Sequence, residues 1–159
     1  MRIAVTGVPC VGKTTVSKLL AKKLGYKYVS VNDLAERLDA YIGYDDVLQS
    51  KIVNMSKLKK AVNAIKEDFV LDGHFSHHFD VDVVVVLRCK PNILLKRLKK
   101  KYPKNEKKVR ENLDAEILGV ITSEVLEMRK KFFEVDVSKK KKEKIVEEIL
   151  KKSKWRNNK

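Results

Sequence analysis

An α/β fold, with a parallel sheet of five strands covered by helices on both faces, is predicted by three observations. Short runs rich in β-branched residues alternate with stretches of helical periodicity along the whole chain of 159 residues. One of those runs, Val81 to Leu87, is almost continuously apolar, as a strand buried on both faces should be. A glycine-rich segment, Gly7 to Thr15, joins the first strand to the first helix.

The elements follow in order. Arg2-Ile3-Ala4-Val5-Thr6 reads as a short buried strand. Val16, Leu19, Leu20 and Leu24 then recur at helical spacing until Gly25 stops the helix. Lys27 to Val31 is a second strand, and Asn32 or Asp33 caps a helix from Leu34 to Ala40. Tyr41 to Asn54 shows little periodicity and reads as irregular. Ser56 is expected to cap a helix from Lys57 to Lys66, with Leu58, Ala61, Val62 and Ile65 on one face. Phe69 to Asp72 is a third strand and Val81 to Leu87 a fourth. Pro91 opens a helix to about Lys100, and Tyr102-Pro103-Lys104-Asn105 breaks it. One long helix is expected from Glu106 to Lys131, then a fifth strand from Phe132 to Val137, then a helix from Lys144 to about Trp155.

Gly7-Val8-Pro9-Cys10-Val11-Gly12-Lys13-Thr14-Thr15 fits the P-loop pattern, and its strand-before, helix-after context fits too. In such a loop the backbone N–H groups converge on phosphate oxygens, and the following helix presents its positive end to the same anion. Lys13 would reach the outer phosphates and the Thr14 hydroxyl would ligate Mg²⁺. The expected architecture is therefore the three-layer P-loop NTPase fold, a single domain over 1–159 with strand order 2-3-1-4-5. Right-handed crossovers place the loop at the carboxyl edge of the sheet.

Composition narrows the class. No apolar run approaches the ~20 residues needed to span a bilayer, so no membrane partner is expected. The first strand begins at once after Met1, which argues against a signal peptide. Cys10 and Cys89 have no metal-ligand spacing and suit a reduced, cytoplasmic protein. Thirty-six basic against 21 acidic residues leave a net charge of +15. That surplus suits contact with nucleic acid or another polyanion, and equally suits the Lys/Glu-rich habit of thermophiles.

Other residues could carry chemistry. Asp72 ends an apolar strand, where a carboxylate can hold Mg²⁺; Asp-Gly is also a common turn. His74 could orient a nucleophile or bind a phosphate oxygen, or be a satisfied loop histidine. His77 and His78, with Asp72, Asp80 and Asp82 nearby, lack the usual zinc spacing and read better as a polar loop. Lys96 to Arg110 holds nine basic residues around the helix break. Such a flap could close over a nucleotide and neutralise its oxygens, with Arg97, Lys101 and Arg110 as the contacting groups. The tail, Lys139 to Lys159, has a net charge of +7 from ten basic and three acidic residues, a solvated face or an RNA-binding edge. Trp155 seals the helix end or stacks on a base.

Several of these stretches together resemble the adenylate kinase isoenzyme 6 group, small P-loop kinases of archaea and the eukaryotic nucleus. They are Gly7 to Thr15, Asn32-Asp33-Leu34-Ala35, Gly43-Tyr44-Asp45, Leu71-Asp72-Gly73-His74, Val86-Leu87-Arg88 and Asn105-Glu106-Lys107-Lys108, followed by Asn112 and Glu116. The match runs through nearly the whole chain in the group's order. The resemblance implies that Cys10, Gly12, Lys13, Thr14 and Thr15 contact ATP, and that Asp72 and His74 form an Asp-x-His motif needed for turnover. It implies an acceptor region over 30–53 that includes Asp33 and Arg37, and a lid over 100–110. It places the loop near Ser138 to Lys140, with Lys140, beside the adenine. Three positions depart from the group's pattern. Cys10 replaces a usual glycine, so the loop should hold a side chain at φ < 0 there. Lys101 replaces a lid arginine and keeps charge without bidentate geometry. Arg37 stands one residue later than usual, behind Glu36, which turns it by about 100° on a helix.

The expected function is an ATP- and Mg²⁺-dependent nucleoside monophosphate kinase of prokaryotic, archaeal type, acting as a monomer with AMP as acceptor. The resemblance also implies ATPase activity and a role in small-subunit ribosome assembly, with small-subunit ribosomal protein eleven and rRNA as partners. A third reading is a P-loop kinase for shikimate or a cofactor precursor.

Overall fold

The computed structural model describes residues 1–152, so Trp155 and the end of the tail lie outside it. The chain runs β1 (Arg2–Thr6), α1 (Lys13–Leu24), β2 (Lys27–Ser30), α2 (Val31–Leu38), β3 (Tyr41–Asp45), β4 (Ser50–Val53), α3 (Met55–Asn63) and β5 (Phe69–Asp72). After a 3₁₀ turn at Ser76–His78 come β6 (Val83–Arg88), α4 (Pro91–Lys101), α5 (Glu106–Leu118), α6 (Val120–Glu127), β7 (Phe132–Asp136) and α7 (Lys142–Lys152). The main sheet has five strands in the order β2-β5-β1-β6-β7, all parallel. That is the predicted order, once the two strands of a separate hairpin are set aside.

The centre of the sheet is apolar on both faces, which is why its strands read as continuous hydrophobic runs. Ile3, Ala4 and Val5 of β1 and Val83 to Leu87 of β6 are all buried. One core gathers β1, β6, α1, α4 and α7, with Ile145, Val146 and Ile149 of α7 turned inward. A second gathers Val29, Leu34, Leu58, Val62 and Phe69 from β2, α2, α3 and β5.

Four expectations are corrected. The segment read as irregular is an antiparallel hairpin, β3 with β4. Its turn is held by Asp45, whose Oδ1 accepts from the backbone N–H groups of Val47 and Leu48 at 3.0 Å each. The pattern was obscure because Ile42, Tyr44, Val47 and Ile52 are exposed, so no buried face imposed alternation. The expected long helix is two helices, α5 and α6, broken at Gly119 with φ 64°. Two helices also begin earlier than expected. Ser30, not Asn32 or Asp33, caps α2 by accepting from Asp33 N at 3.2 Å, and Asn54, not Ser56, caps α3 by accepting from Lys57 N at 3.2 Å. In each case the cap is the residue still in extended backbone. The fourth strand starts at Val83 instead of Val81, because the Asp82 carboxylate turns back to accept from Arg2 N at 2.6 Å. Among the described residues, no helix is long and apolar enough to cross a membrane.

Candidate active site

The ends of β1 and β5 deliver the site. These strands are neighbours in register, with Val5 beside Asp72, so the loop leaving β1 and the carboxylate ending β5 emerge together at one edge. Gly73 is required there for close packing: a Cβ at that position would lie 2.8 Å from the Val31 side chain. Asp72 is buried, and its Oδ2 accepts from the Thr14 hydroxyl at 2.8 Å and from the Tyr28 hydroxyl at 2.6 Å. Burial and the Asp72 carboxylate together push the Tyr28 phenol well above its ordinary range, so it stays a donor.

Lys13 opens α1 and curls back to donate to the Val8 carbonyl at 3.0 Å. Burial pushes its ammonium down to about 8; Asp72 opposes that shift and Lys101 adds to it. His74 is pushed down to about 4, first by burial and then by Lys13, so it is neutral at pH 7. Its Nδ1 is buried and has no hydrogen-bond partner among the described residues. A half-buried lysine whose ammonium contacts only a carbonyl, and an unpartnered imidazole nitrogen, are both suited to an incoming anion.

These groups surround one cavity of about 300 Å³, lined by Cys10, Gly12, Lys13, Thr14, Thr15, Asp72 and His74. Lys101 and Tyr102, at the end of α4, close its far side. The donor set suits Mg²⁺, which takes oxygen ligands at short range and keeps waters. The 2.8 Å separation of Thr14 Oγ1 and Asp72 Oδ2 is close to the roughly 2.9 Å edge of an octahedron with 2.0–2.1 Å bonds.

Other expected residues lie elsewhere. Asp33 and Arg37 line a neighbouring groove of about 740 Å³, which shares only Ser30 with the phosphate-side cavity. Arg97 donates to the Cys10 carbonyl at 3.3 Å. Arg110 lines a groove between α4 and α5. Lys140 pairs with Glu148 Oε1 at 3.1 Å. Cys10 itself adopts φ 74°, correcting the expected φ < 0: the loop keeps the left-handed turn that a glycine would supply, and the side chain bears the strain.

Sequence reasoning missed Tyr28; Ser30, Asn32 and Tyr102 lay within its acceptor and lid stretches but were given no role of their own in the site. The strand order supplies the signal for the first. In the β2–β5 register Ser30 pairs with Asp72, so Tyr28, two residues earlier, projects from the same face.

Comparison with known proteins places this geometry. A family described as "AAA domain" matches residues 3–119. A protein of Methanocaldococcus jannaschii named "Putative adenylate kinase" is 40% identical, the match covering 94% of this chain and 84% of that one. A Thermococcus onnurineus protein of the same name is 45% identical, covering 94% and 82%. Among solved structures, shikimate kinase from Aquifex aeolicus shares the fold at TM-score 0.59 and 17% identity, covering 99% of this chain and 98% of that one. Deoxyadenosine kinase from M. mycoides does so at TM-score 0.60 and 18% identity, covering 96% and 98%. With relatives of this identity and coverage, the chain belongs to the family of archaeal proteins named putative adenylate kinase.

Proposed function

We propose that the protein transfers the terminal phosphoryl group of ATP to a nucleoside monophosphate, with AMP as the preferred acceptor, and that it falls in the isoenzyme 6 group of its family. The observation that carries this reading is the single cavity in which Lys13, Thr14, Asp72 and His74 meet. Cys10, Gly12 and Thr15 belong to the same wall and would bind the nucleotide phosphates. Thr14 and Asp72 would hold Mg²⁺, which neutralises phosphate charge when bound. Lys13 presents its ammonium to the outer phosphates. An arriving anion restores the proton affinity that burial takes away, so the lysine is charged when it is needed. His74, neutral, offers Nδ1 as a hydrogen-bond partner for the entering group or for a water. Asp33 and Arg37 are proposed as acceptor-side residues within 30–53, and Ser30 links their groove to the phosphate cavity. The turn between α4 and α5 would act as the lid over 100–110, with Lys101 facing the cavity and Arg97 and Arg110 on either side of it. Lys140 is proposed to flank the adenine. No covalent nucleophile is required, because positioning and charge stabilisation carry phosphoryl transfer.

A second reading is favoured by the net charge of +15 and by His74, which could hold a water in place of an acceptor. In it, ATP hydrolysis drives small-subunit ribosome assembly, with small-subunit ribosomal protein eleven and rRNA as partners. An acceptor panel with γ-labelled ATP and Mg²⁺ separates the two. A kinase labels the acceptor and releases little free phosphate; the ATPase reading gives free phosphate without acceptor. Label that moves to no nucleoside monophosphate would reject the kinase.

A further inference from the structure

A second polar cluster stands behind the phosphate site, on the turn that follows His74. His77 is 1% exposed, and its Nε2 lies 2.6 Å from Glu124 Oε2 on α6. His78, although adjacent in sequence, brings its own Nε2 to 3.2 Å from the same oxygen. We propose that His77, His78 and Glu124 bind one divalent transition-metal ion of the zinc class, which braces the turn carrying His74 against α6.

The ligand atoms of all three residues lie within 4.8 Å of one another. Around a tetrahedral ion with bonds near 2.0–2.1 Å, neighbouring ligand atoms stand roughly 3.3 Å apart. The His78–Glu124 separation already fits. The His77–Glu124 separation needs to open by only several tenths of an ångström, and the half-exposed Glu124 side chain has room to give.

Hydrogen-bond accounting points the same way. Thr6 Oγ1 donates its one proton to the His74 carbonyl at 3.0 Å, so at 2.9 Å it accepts from His77 Nδ1–H. In that arrangement the Nε2 lone pair is aimed at a carboxylate oxygen, which also offers only lone pairs, so a cation suits the gap between them. A proton bridges only that pair, whereas a metal ion bridges all three ligand atoms. The Thr6 contact is also the kind of outer hydrogen bond that orients a metal-binding histidine. Lys130 does not compete for the carboxylate: its ammonium donates to the backbone carbonyls of His77 and Phe79. His78 lines an open groove of about 350 Å³ beside the hairpin, which gives the ion a path and leaves a position for water. Two imidazoles with one carboxylate favour zinc and its neighbours over Mg²⁺.

The test uses untagged full-length protein stripped with a chelator. Zn²⁺ should bind saturably at one equivalent and raise the thermal midpoint. Co²⁺ should give a tetrahedral visible spectrum. His78→Ala and Glu124→Ala should each weaken Zn²⁺ binding at least tenfold and abolish the Co²⁺ spectrum, while Cys10→Ala leaves both intact. Absence of saturable Zn²⁺ binding to the wild type overturns the proposal, as does undiminished binding in both ligand variants. Should a variant fail to fold, the wild-type Co²⁺ spectrum decides, and its absence is equally fatal.

Discussion

Two charged clusters sit at the carboxyl edge of the same sheet, one at the end of β6 and one at the ends of β1 and β5, and they are built to opposite rules. Around Arg88, charge is met by opposite charge in direct contact. Its guanidinium donates to the Glu116 side chain, to the Glu116 carbonyl at 2.9 Å and to Glu134 Oε1 at 3.3 Å. Thr122 completes the set by donating to Glu134 at 2.7 Å. Around Lys13 it is not. A lysine depressed to about 8, a histidine depressed to about 4 with an unpartnered nitrogen, and a non-glycine residue at φ 74° share one small cavity. The matched cluster contributes to the fold; the unmatched one costs stability and keeps valency for a ligand.

The largest effect should come from breaking the matched side. Arg88→Met leaves Glu116, only 4% exposed, without its partner. Orphaning a buried charge typically costs about 3–5 kcal/mol. The expected result is a lower urea midpoint, largely recovered in the double variant Arg88→Met/Glu116→Leu. A loss below about 1 kcal/mol would show that Arg88 does not offset the buried Glu116 charge.

On the unmatched side, removing charge should do the reverse. Lys13 is protonated in both folded and unfolded chains at pH 7, and its folded-state value of about 8 against 10.5 means the folded form disfavours that proton. Stability should therefore rise as pH climbs from about 8 towards 10.5, where the folded chain alone has released it. Lys13→Met should stabilise the nucleotide-free protein at pH 7 by roughly 2 kcal/mol. The same change should lower phosphoryl transfer at least ~10²-fold, since a charge aimed at the transferred group is lost. Equal stability of variant and wild type would remove the distinction between the clusters.

His74 gives a smaller, pH-resolved effect. Its folded value of about 4 lies below the ordinary 6.5, so its neutral form is favoured by the fold. Above 6.5 it contributes no pH dependence. As pH falls from 6.5 to 4 the unfolded chain takes up the proton first, and stability is lost. Chemical denaturation in EDTA should show His74→Asn losing roughly 1–2 kcal/mol less than wild type across that window. Parallel curves for the two proteins would mean that His74 is not held neutral by burial.

Within the Lys13 side itself, sequence revealed some groups and not others. Gly7 to Thr15 was legible because fixed residues at fixed spacing encode a backbone shape, and Asp72 because a carboxylate ends a buried strand. The three central strands, β1, β5 and β6, were legible because burial on both faces leaves a nearly continuous apolar run; β2 and β7, at the sheet edges, are only partly buried and were read from their short β-branched and aromatic runs. Tyr28 was not legible, since its contact with Asp72 spans 44 residues and exists only once β2 pairs with β5. The same holds for Glu124, which meets His77 across 47 residues after a helix break that periodicity alone did not register. Glycine at 119 carried the signal, but an isolated glycine within a helical pattern is tolerated often enough to be passed over.

The finest test lies in Cys10. An L-residue in the left-handed region costs about 1–2 kcal/mol, and Cys10 stands there at φ 74° in the middle of the phosphate loop. Cys10→Gly removes the Cβ clash but adds freedom to the unfolded chain, so the net gain should be about 0.5–1 kcal/mol. For a chain of this size that corresponds to a thermal midpoint higher by roughly 1–4 °C. Cys10→Ala separates strain from thiol chemistry: it keeps the Cβ and should show no gain. Arg97 still finds its acceptor in both variants, because it binds the residue 10 carbonyl and not the side chain. A gain in the alanine variant equal to that of glycine would locate the cost in the thiol and not in the backbone. The phosphate side would then hold less stored strain than its dihedral implies.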